Sequence, residues 1–362
     1  VERWFQEGSL IFKSIQFRMV RASTLLITGS HNLAGKCKLM SNVEVDDYTY
    51  KKLEKAARQI ILKHIGETRS VTGLRNNNWV FLAREKKPYY LVKFVPPPEK
   101  KRLEVEVAVY DYLQENTAVP VPETISFELL PDIGACTLRK IVIGRDLESY
   151  ITGEACKDQV KIREVFRQAG ETLAELHSLE FSRKGLIAPD LTVQEYDIFS
   201  CQEYRGFIEV LSRYKVISAQ QFNILNSIDI DYYFSGRKNV LCHCDYAPKN
   251  ILITDDRISA VIDFEWASAC PFMDDVASFD LFVGLLGPDY PIEEFYRGYN
   301  SRKKLPESFF QDLDFYKFYR LTTMVSYQLK VEGERIAEER FQGMQQKLQN
   351  SLGELENFKS YR

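Results

Sequence analysis

Residues 241–263 read LCHCDYAPKNILITDDRISAVID, and these 23 positions hold His243, Asp245, Asn250 and Asp263. Asp245 and Asn250 are five apart with Pro248 between them, which predicts a loop rather than a continuous helix. The runs ILIT and ISAVIDF flank DDR, so a hairpin is expected whose return strand carries Asp263 back beside Asn250. Oxygen-only donors suit Mg²⁺, which keeps several waters and shares its shell with substrate phosphates. A carboxylate standing off the metal can orient a hydroxyl and accept its proton. Phosphoryl transfer to an alcohol requires this division of labour. A single Asx pair would more readily be read as capping a turn. Four such groups between strand-like runs favour the chemistry.

The elements that must position these groups follow from periodicity. From Asp46, DDYTYKKLEKAARQIILKHI predicts a helix, with Tyr50, Leu53, Ala57, Ile60, Ile61 and Ile65 recurring at three- and four-residue steps. SVTGLRNNNWVFLA and PYYLVKFV read as two strands joined by a turn at REKKP, and PPPEKK breaks the chain. RLEVEVAVYDYLQEN keeps a helical stripe of Leu103, Val107, Tyr110 and Leu113. AVPVPETISFEL and ACTLRKIVIG return to strand character, so residues 66–143 read as β-rich with one inserted helix. After GRDLESYI the chain turns helical. Ile162, Val165, Phe166, Ala169, Leu173 and Leu176 share one face, and further helices are expected within 193–228 and 291–361. A small α+β lobe followed by a larger, mostly helical lobe leaves a cleft between them, a common place for a ligand.

The totals limit the function classes. The chain has 362 residues, 45% hydrophobic and 27% charged, as for a folded protein with a substantial core. No run approaches a membrane span, and Glu, Lys and Arg interrupt the N-terminal segment where a secretory leader would be apolar, so a cytoplasmic location and no membrane partner are expected. MSNVEVDD from Met40 reads like a natural start, and residues 1–45 are expected to be an extension. A net charge of −3 supplies no global basic field for nucleic acid. Residues 180–362 carry 28 acidic and 21 basic side chains, against 23 and 27 in residues 1–179. That asymmetry suits a phosphate donor in the first half and a cationic acceptor in the second. Seven cysteines, 37, 136, 156, 201, 242, 244 and 270, form an odd set in a long chain, which argues against a disulfide framework. On a strand, Cys242 and Cys244 face one way and His243 the other, so these three are not expected to close on one ion.

HCDYAPKNIL…AVIDFEWA resembles the HxDxxxxN…IDW/F signature of the aminoglycoside phosphotransferase group, which includes choline, homoserine and fructosamine kinase relatives and shares the protein-kinase-like fold. AGETLAELHSLE resembles the LAxLHxL helix of that group, and RKIVIGRDL resembles its hinge. LVKFVPPP, followed by LEVEVAVYDYL, is similar to its ATP-contacting strand and the helix after it. The resemblance runs from about Asp46 to at least residue 330. It implies an α+β, two-lobed fold: an N-lobe over 46–143 that binds nucleotide, and a C-lobe over 144–362 with the catalytic loop, metal site and acceptor-binding helices.

The resemblance further implies that Asp245 is the catalytic base and that Asn250 and Asp263 hold Mg²⁺. Lys93 would pair the α- and β-phosphates of ATP, with Glu106, rather than its neighbour Glu104, holding the lysine. Gly73 and Asn78 would belong to the phosphate loop, which has one glycine where several are usual and where Arg75 could help. Lys140 and Val142 would meet adenine through their backbone. His243 would brace the catalytic loop, and His177 would pack at the end of its helix. In three places the chain departs from the pattern. Cys244 replaces Gly in HGD, Cys270 replaces Asp in GDPxxD, and Lys249 stands where Gly is common. Counted from Pro271, Asp274 takes the register of the loop-stabilising carboxylate, with Asp275 one step out.

The leading expectation is therefore an ATP- and Mg²⁺-dependent kinase of a small, cationic, hydroxyl-bearing acceptor: an amino sugar, an antibiotic or an amine-bearing metabolite. Trp266, Tyr290, Phe295, Tyr296, Tyr299, Tyr316, Tyr319 and Tyr327 are candidates for the acceptor walls, although most should be core. Glu265, Asp280, Asp289 and Glu293 are candidates for ammonium groups. A nucleotide-binding pseudokinase acting as a partner-binding module is the alternative. A protein kinase is disfavoured because no Gly follows Phe264 and no activation-segment motif is present.

Overall fold

A computed structural model of the chain describes residues 47–74, 79–153, 158–194, 200–332 and 343–352. The first helix, α1 (Asp47–Ile65), is followed by β1 (Thr72–Leu74), β2 (Val80–Ala83) and β3 (Tyr90–Val95). Then come α2 (Lys100–Asn116), β4 (Thr124–Leu130) and β5 (Gly134–Lys140). The five strands form one antiparallel sheet in the order β1-β2-β3-β5-β4. The expected first strand is split, with β1 and β2 joined through 75–78, which lie outside the described residues together with Arg75 and Asn78.

The two-residue period of β3 decides which side chains meet the cleft. Val92 and Phe94 point to one face, where they pack with Phe81, Cys136 and Leu138 against Leu53, Ala57, Ile60 and Ile61 of α1. Lys93 and Val95 point to the other face, towards α2, and β3 is buried on both sides. On α2 the buried stripe is Leu103, Glu106, Tyr110 and Leu113, whereas Val107, expected in that stripe, is only half-buried. The correction matters because a carboxylate stands at an apolar position of the stripe, facing the sheet.

The second part opens with β6 (Arg145–Asp146), α3 (Leu147–Thr152) and α4 (Gln159–Leu176), followed by β7 (Glu180–Phe181) and β8 (Gly185–Leu186). Next are α5 (Cys201–Arg213), α6 (Ala219–Asn226), α7 (Asp231–Phe234), β9 (Asn239–Cys242), β10 (Ile251–Thr254), β11 (Arg257–Val261) and β12 (Ser268–Pro271). It closes with α8 (Met273–Leu286), α9 (Ile292–Arg302), α10 (Phe309–Glu332) and helical residues 343–352. The expected face of α4, from Ile162 to Leu176, is buried throughout. Among the described residues no helix is long and apolar enough to cross a membrane.

Two features of this part set the site. Helices α4 and α9 cross at Gly170 and Gly298. A Cβ on Gly170 would lie 2.0 Å from the Phe295 carbonyl oxygen, and one on Gly298 would lie 2.0 Å from that of Arg167. Only glycine admits so close an approach. The β10–β11 hairpin pairs Ile251 with Val261 and turns at Asp255 and Asp256, at φ 51° and 59°. Asp tolerates this left-handed region better than branched residues do. The Ile262 amide then donates to the Asn250 carbonyl at 3.0 Å, so the two ends of the hairpin lie side by side.

Candidate active site

The N-lobe contributes a buried ionic cluster. Lys93 Nζ lies 2.9 Å from Glu106 Oε2, 3.2 Å from Glu265 Oε2 and 3.4 Å from Asp263 Oδ1. Arg139 Nη1 donates to Glu106 Oε1 at 2.8 Å, and its guanidinium lies over the Tyr110 ring. Burial opposes the Glu106 charge, yet Arg139 and Lys93 outweigh it and hold that carboxyl well below the ordinary range. Burial likewise opposes the Lys93 ammonium, and Glu106, Glu265 and Asp263 together raise its pKa. Glu106 is thus the partner of Lys93. Glu265, an ammonium candidate for the acceptor wall by sequence, is instead buried against Lys93, and that assignment is corrected.

The segment 243–245 is held by a second, buried set. Asp275 accepts the His243 amide at 2.6 Å and the Cys244 amide at 2.7 Å. It also meets His177 Nε2 at 3.2 Å, and His177 Nδ1 lies 2.9 Å from the Tyr299 hydroxyl. The carboxylate that pins the loop is therefore Asp275, not Asp274, which corrects the register inferred from Pro271. Helix α8 begins at Met273, and its first turn directs successive side chains about 100° apart. Asp275 thereby meets the loop amides, while Asp274 faces Arg320. Burial pushes the Asp275 carboxyl up, but its bond to His177 and the His243 backbone amide help leave it lowered overall. Burial lowers the pKa of His177.

His243 joins the two arms of the site. Its Nδ1 accepts the Asp245 amide at 3.2 Å, so Nε2 carries the proton and donates to the Ile262 carbonyl at 2.9 Å. The residues preceding Asp263 are thereby tied to those preceding Asp245. Asp263 itself sits at φ 72°, with its amide donating to the Tyr110 hydroxyl at 2.9 Å. That hydroxyl reaches Glu106 Oε1 at 3.3 Å, linking the metal-ligand candidate to the lysine clamp.

Asp245 is buried, and its two oxygens differ. Oδ2 accepts from Asn250 Nδ2 at 2.9 Å and faces Lys249 Nζ at 2.8 Å. Oδ1 has no hydrogen-bond partner among the described residues. Asn250 Nδ2 also donates to the Asp245 carbonyl at 2.8 Å, which turns the amide oxygen of Asn250 the other way. Burial, then the neighbouring Glu265 and Glu106 charges, push the Asp263 carboxyl up to about 6 against the pull of Lys93. An amide oxygen and a carboxylate crowded by other carboxylates are a donor set that a hard divalent cation relieves.

The remaining candidates are placed less directly. Lys140 ends β5, with its amide bonded to the Glu123 carbonyl at 3.0 Å and its exposed ammonium 3.5 Å from Glu123. The backbone of Val142, two residues on, makes no hydrogen bond among the described residues. Gly73 lies in β1 and donates its amide to the Tyr50 hydroxyl at 3.3 Å. A Cβ there would strike the Tyr50 ring, so the small residue admits α1 rather than simply opening a phosphate loop. Asp280 meets the Tyr296 hydroxyl at 2.5 Å and Lys317 at 3.1 Å. Phe295, Tyr299, Tyr316, Tyr319 and Tyr327 are core, while Trp266, Tyr290 and Tyr296 keep some exposure.

Sequence reasoning left Arg139 and Tyr110 without roles. Arg139 lies two residues from Thr137, which pairs with Lys93, so strand alternation puts both cations on one face. Tyr110 is four residues after Glu106 on the same helical face. Both signals were available in the spacing.

A family model described as "Phosphotransferase enzyme family" matches residues 68–307. No curated protein matches the chain by sequence. Several solved structures share its fold. A thermostable mutant of aminoglycoside phosphotransferase APH(4)-Ia in its apo form has a TM-score of 0.60 at 17% identity, covering 82% of this chain and 98% of the other. A protein from Haemophilus somnus 129PT assigned to the fructosamine-3-kinases has a TM-score of 0.58 at 15% identity, covering 84% and 99%. The GDP complex of wild-type aminoglycoside 2′-phosphotransferase-IIIa has a TM-score of 0.60 at 13% identity, covering 83% and 99%.

Proposed function

The chain belongs to the phosphotransferase enzyme family, and from that premise we propose that it transfers the γ-phosphoryl group of ATP to a hydroxyl of an amine-bearing small molecule. It is a small-molecule phosphotransferase with a protein-kinase-like fold. On this reading residues 46–143 supply the nucleotide half of the site and residues 144–362 the acceptor half. The observation that carries the proposal is the asymmetry of Asp245. Two donors hold Oδ2, while Oδ1 is buried, without a hydrogen-bond partner among the described residues, and aimed by a braced loop.

In the mechanism, Lys93 holds the α- and β-phosphates while Glu106 and Arg139 fix its position. The Val142 amide, and the carbonyl of Lys140, read the adenine edge. Asn250 Oδ1 and Asp263 hold Mg²⁺, which supplies charge neutralisation on the phosphates when bound. Asp245 Oδ1 orients the acceptor hydroxyl and takes its proton as the new O–P bond forms. Lys249, 2.8 Å from Asp245 Oδ2, fixes that oxygen and offers a cation beside the transferring group. The acidic excess of residues 180–362 supports a cationic acceptor, an amino sugar, an antibiotic or another amine-bearing metabolite.

The test is ADP formation with ATP and Mg²⁺ against aminoglycosides, macrolides, choline, homoserine and sugar amines. Acceptor-dependent ADP release with a phosphorylated product of matching mass is expected. ATP that binds but is never turned over with any acceptor, at Asp245-independent background, would point to the pseudokinase reading instead.

A further inference from the structure

Two departures from the family pattern meet behind the catalytic loop. Cys244 and Cys270 are 26 residues apart in sequence, yet their sulfurs lie 3.9 Å apart. Asp274 faces the same point, and one carboxylate oxygen and the two sulfurs all lie within 4.8 Å of one another. Asp274 is completely buried, and neither of its oxygens has a hydrogen-bond partner among the described residues. Arg320 Nη1 stands 3.7 Å away, while Nη2 of the same guanidinium donates to the Cys244 carbonyl. A buried carboxylate without hydrogen bonds is costly and signals a missing ligand. Burial pushes its carboxyl up to about 6, against the pull of Arg320 and of the neighbouring Cys244 side chain.

We propose that Cys244, Cys270 and Asp274 bind a thiophilic divalent cation of the zinc class, at a site separate from the oxygen donors Asn250 and Asp263. Two thiolates about 2.3 Å from a tetrahedral zinc stand roughly 3.8 Å apart, close to the separation of these sulfurs. A disulfide would require them to close to about 2.05 Å. Two thiolates and a carboxylate facing one guanidinium leave two negative charges, which a divalent ion neutralises. Without the ion both thiols are held neutral, Cys244 by its contact with Cys270 and by burial, Cys270 chiefly by burial. Binding therefore releases protons. Cys244 is partly exposed and gives the ion and a fourth, water ligand a way in.

His243 stays out of this cluster, its ring nitrogens being taken up by the Asp245 amide and the Ile262 carbonyl; the second thiolate comes from β12 instead. Two other clusters fit less well. His177, Cys242 and Asp275 already bond to one another, to loop amides and to backbone carbonyls. Cys201, Asp229 and Asp231 lie where solvent reaches the carboxylates. The proposed ion ties the residue before Asp245 to β12 and to the start of α8, cross-linking the loop at its base.

The experiment uses the full chain, reduced with a phosphine, loaded with Zn²⁺, dialysed against metal-free buffer and measured for bound metal. Cobalt replaces zinc in a parallel sample to report thiolate-to-metal charge-transfer absorption. About one zinc per chain and a cobalt–thiolate band are expected, both lost in Cys244→Ser and in Cys270→Ser and both kept in Cys201→Ser. Should a serine variant fail to melt cooperatively, Cys244→Gly carries the same test, since glycine suits φ 60° at this position. Zinc content unchanged in folded Cys244 and Cys270 variants, or lost with Cys201→Ser, overturns the proposal.

Discussion

Replacing Asp245 by Asn isolates the proton acceptor from everything else in the site. Asn250 and Lys249 both present donors to Oδ2. The carbonyl oxygen of the new amide must therefore take that position, because the reverse rotamer sets an NH₂ against two donors. The NH₂ then occupies the place of Oδ1, which has no hydrogen-bond partner among the described residues. There it donates a hydrogen bond where the acceptor hydroxyl must give one. Removing a positioned general base costs about 10²–10⁴-fold in rate, which corresponds to about 3–5 kcal/mol of transition-state stabilisation. Lys93 and the hinge are untouched, so nucleotide affinity should stay within about threefold, well under 1 kcal/mol. The assay is kcat with the best acceptor found in the screen, beside calorimetric titration with ATP and Mg²⁺. Turnover within a few-fold of the parent, or nucleotide affinity falling in step with turnover, would refute the assignment of Asp245 Oδ1 as the hydroxyl's partner.

Glu106→Gln removes the only carboxylate that touches both Lys93 and Arg139 among the described residues, and Lys93 keeps Asp263 and Glu265. A loss of about 3 kcal/mol of stability is expected in a denaturant titration, with weaker ATP binding, and an unchanged midpoint would contradict the buried cluster. Lys249→Met deletes one charge-assisted contact to Asp245, so kcat/KM should fall roughly tenfold to a hundredfold, measured with saturating nucleotide. Gly298→Ala drives a methyl into the Arg167 carbonyl and should destabilise the chain by about 1–3 kcal/mol, read by its melting temperature. His177 and Asp275 are both depressed in the folded state, so each binds fewer protons folded than unfolded. Their stabilisation is complete above the ordinary His value of about 6.5 and is lost as pH falls through it and then through the carboxylate range. Melting curves across pH should show that loss, and His177→Gln should flatten its upper step.

Much of the fold was legible because its periodicities are clean. Alternating strands around Lys93, the stripe of α4 and the hairpin around Asp255 and Asp256 each fix a local geometry that neighbours only reinforce. The spacing of Asp245, Asn250 and Asp263 pointed to the proposed chemistry for the same reason, since a short loop and a hairpin place their segments side by side. What only the tertiary structure decided depends on contacts between distant segments. Asp274 and Asp275 are adjacent in sequence, and the direction of each was set by where α8 docks beneath the loop. Glu265 reads as a surface charge until β3 supplies Lys93 from 172 residues away. The sulfurs of Cys244 and Cys270 meet because β12 lies beside β9 and the chain leaving β9 turns at Cys244, φ 60°, an arrangement that no local period encodes. Local backbone preferences act over a few residues, whereas charge partners and ligand sets are assembled by packing across the whole chain.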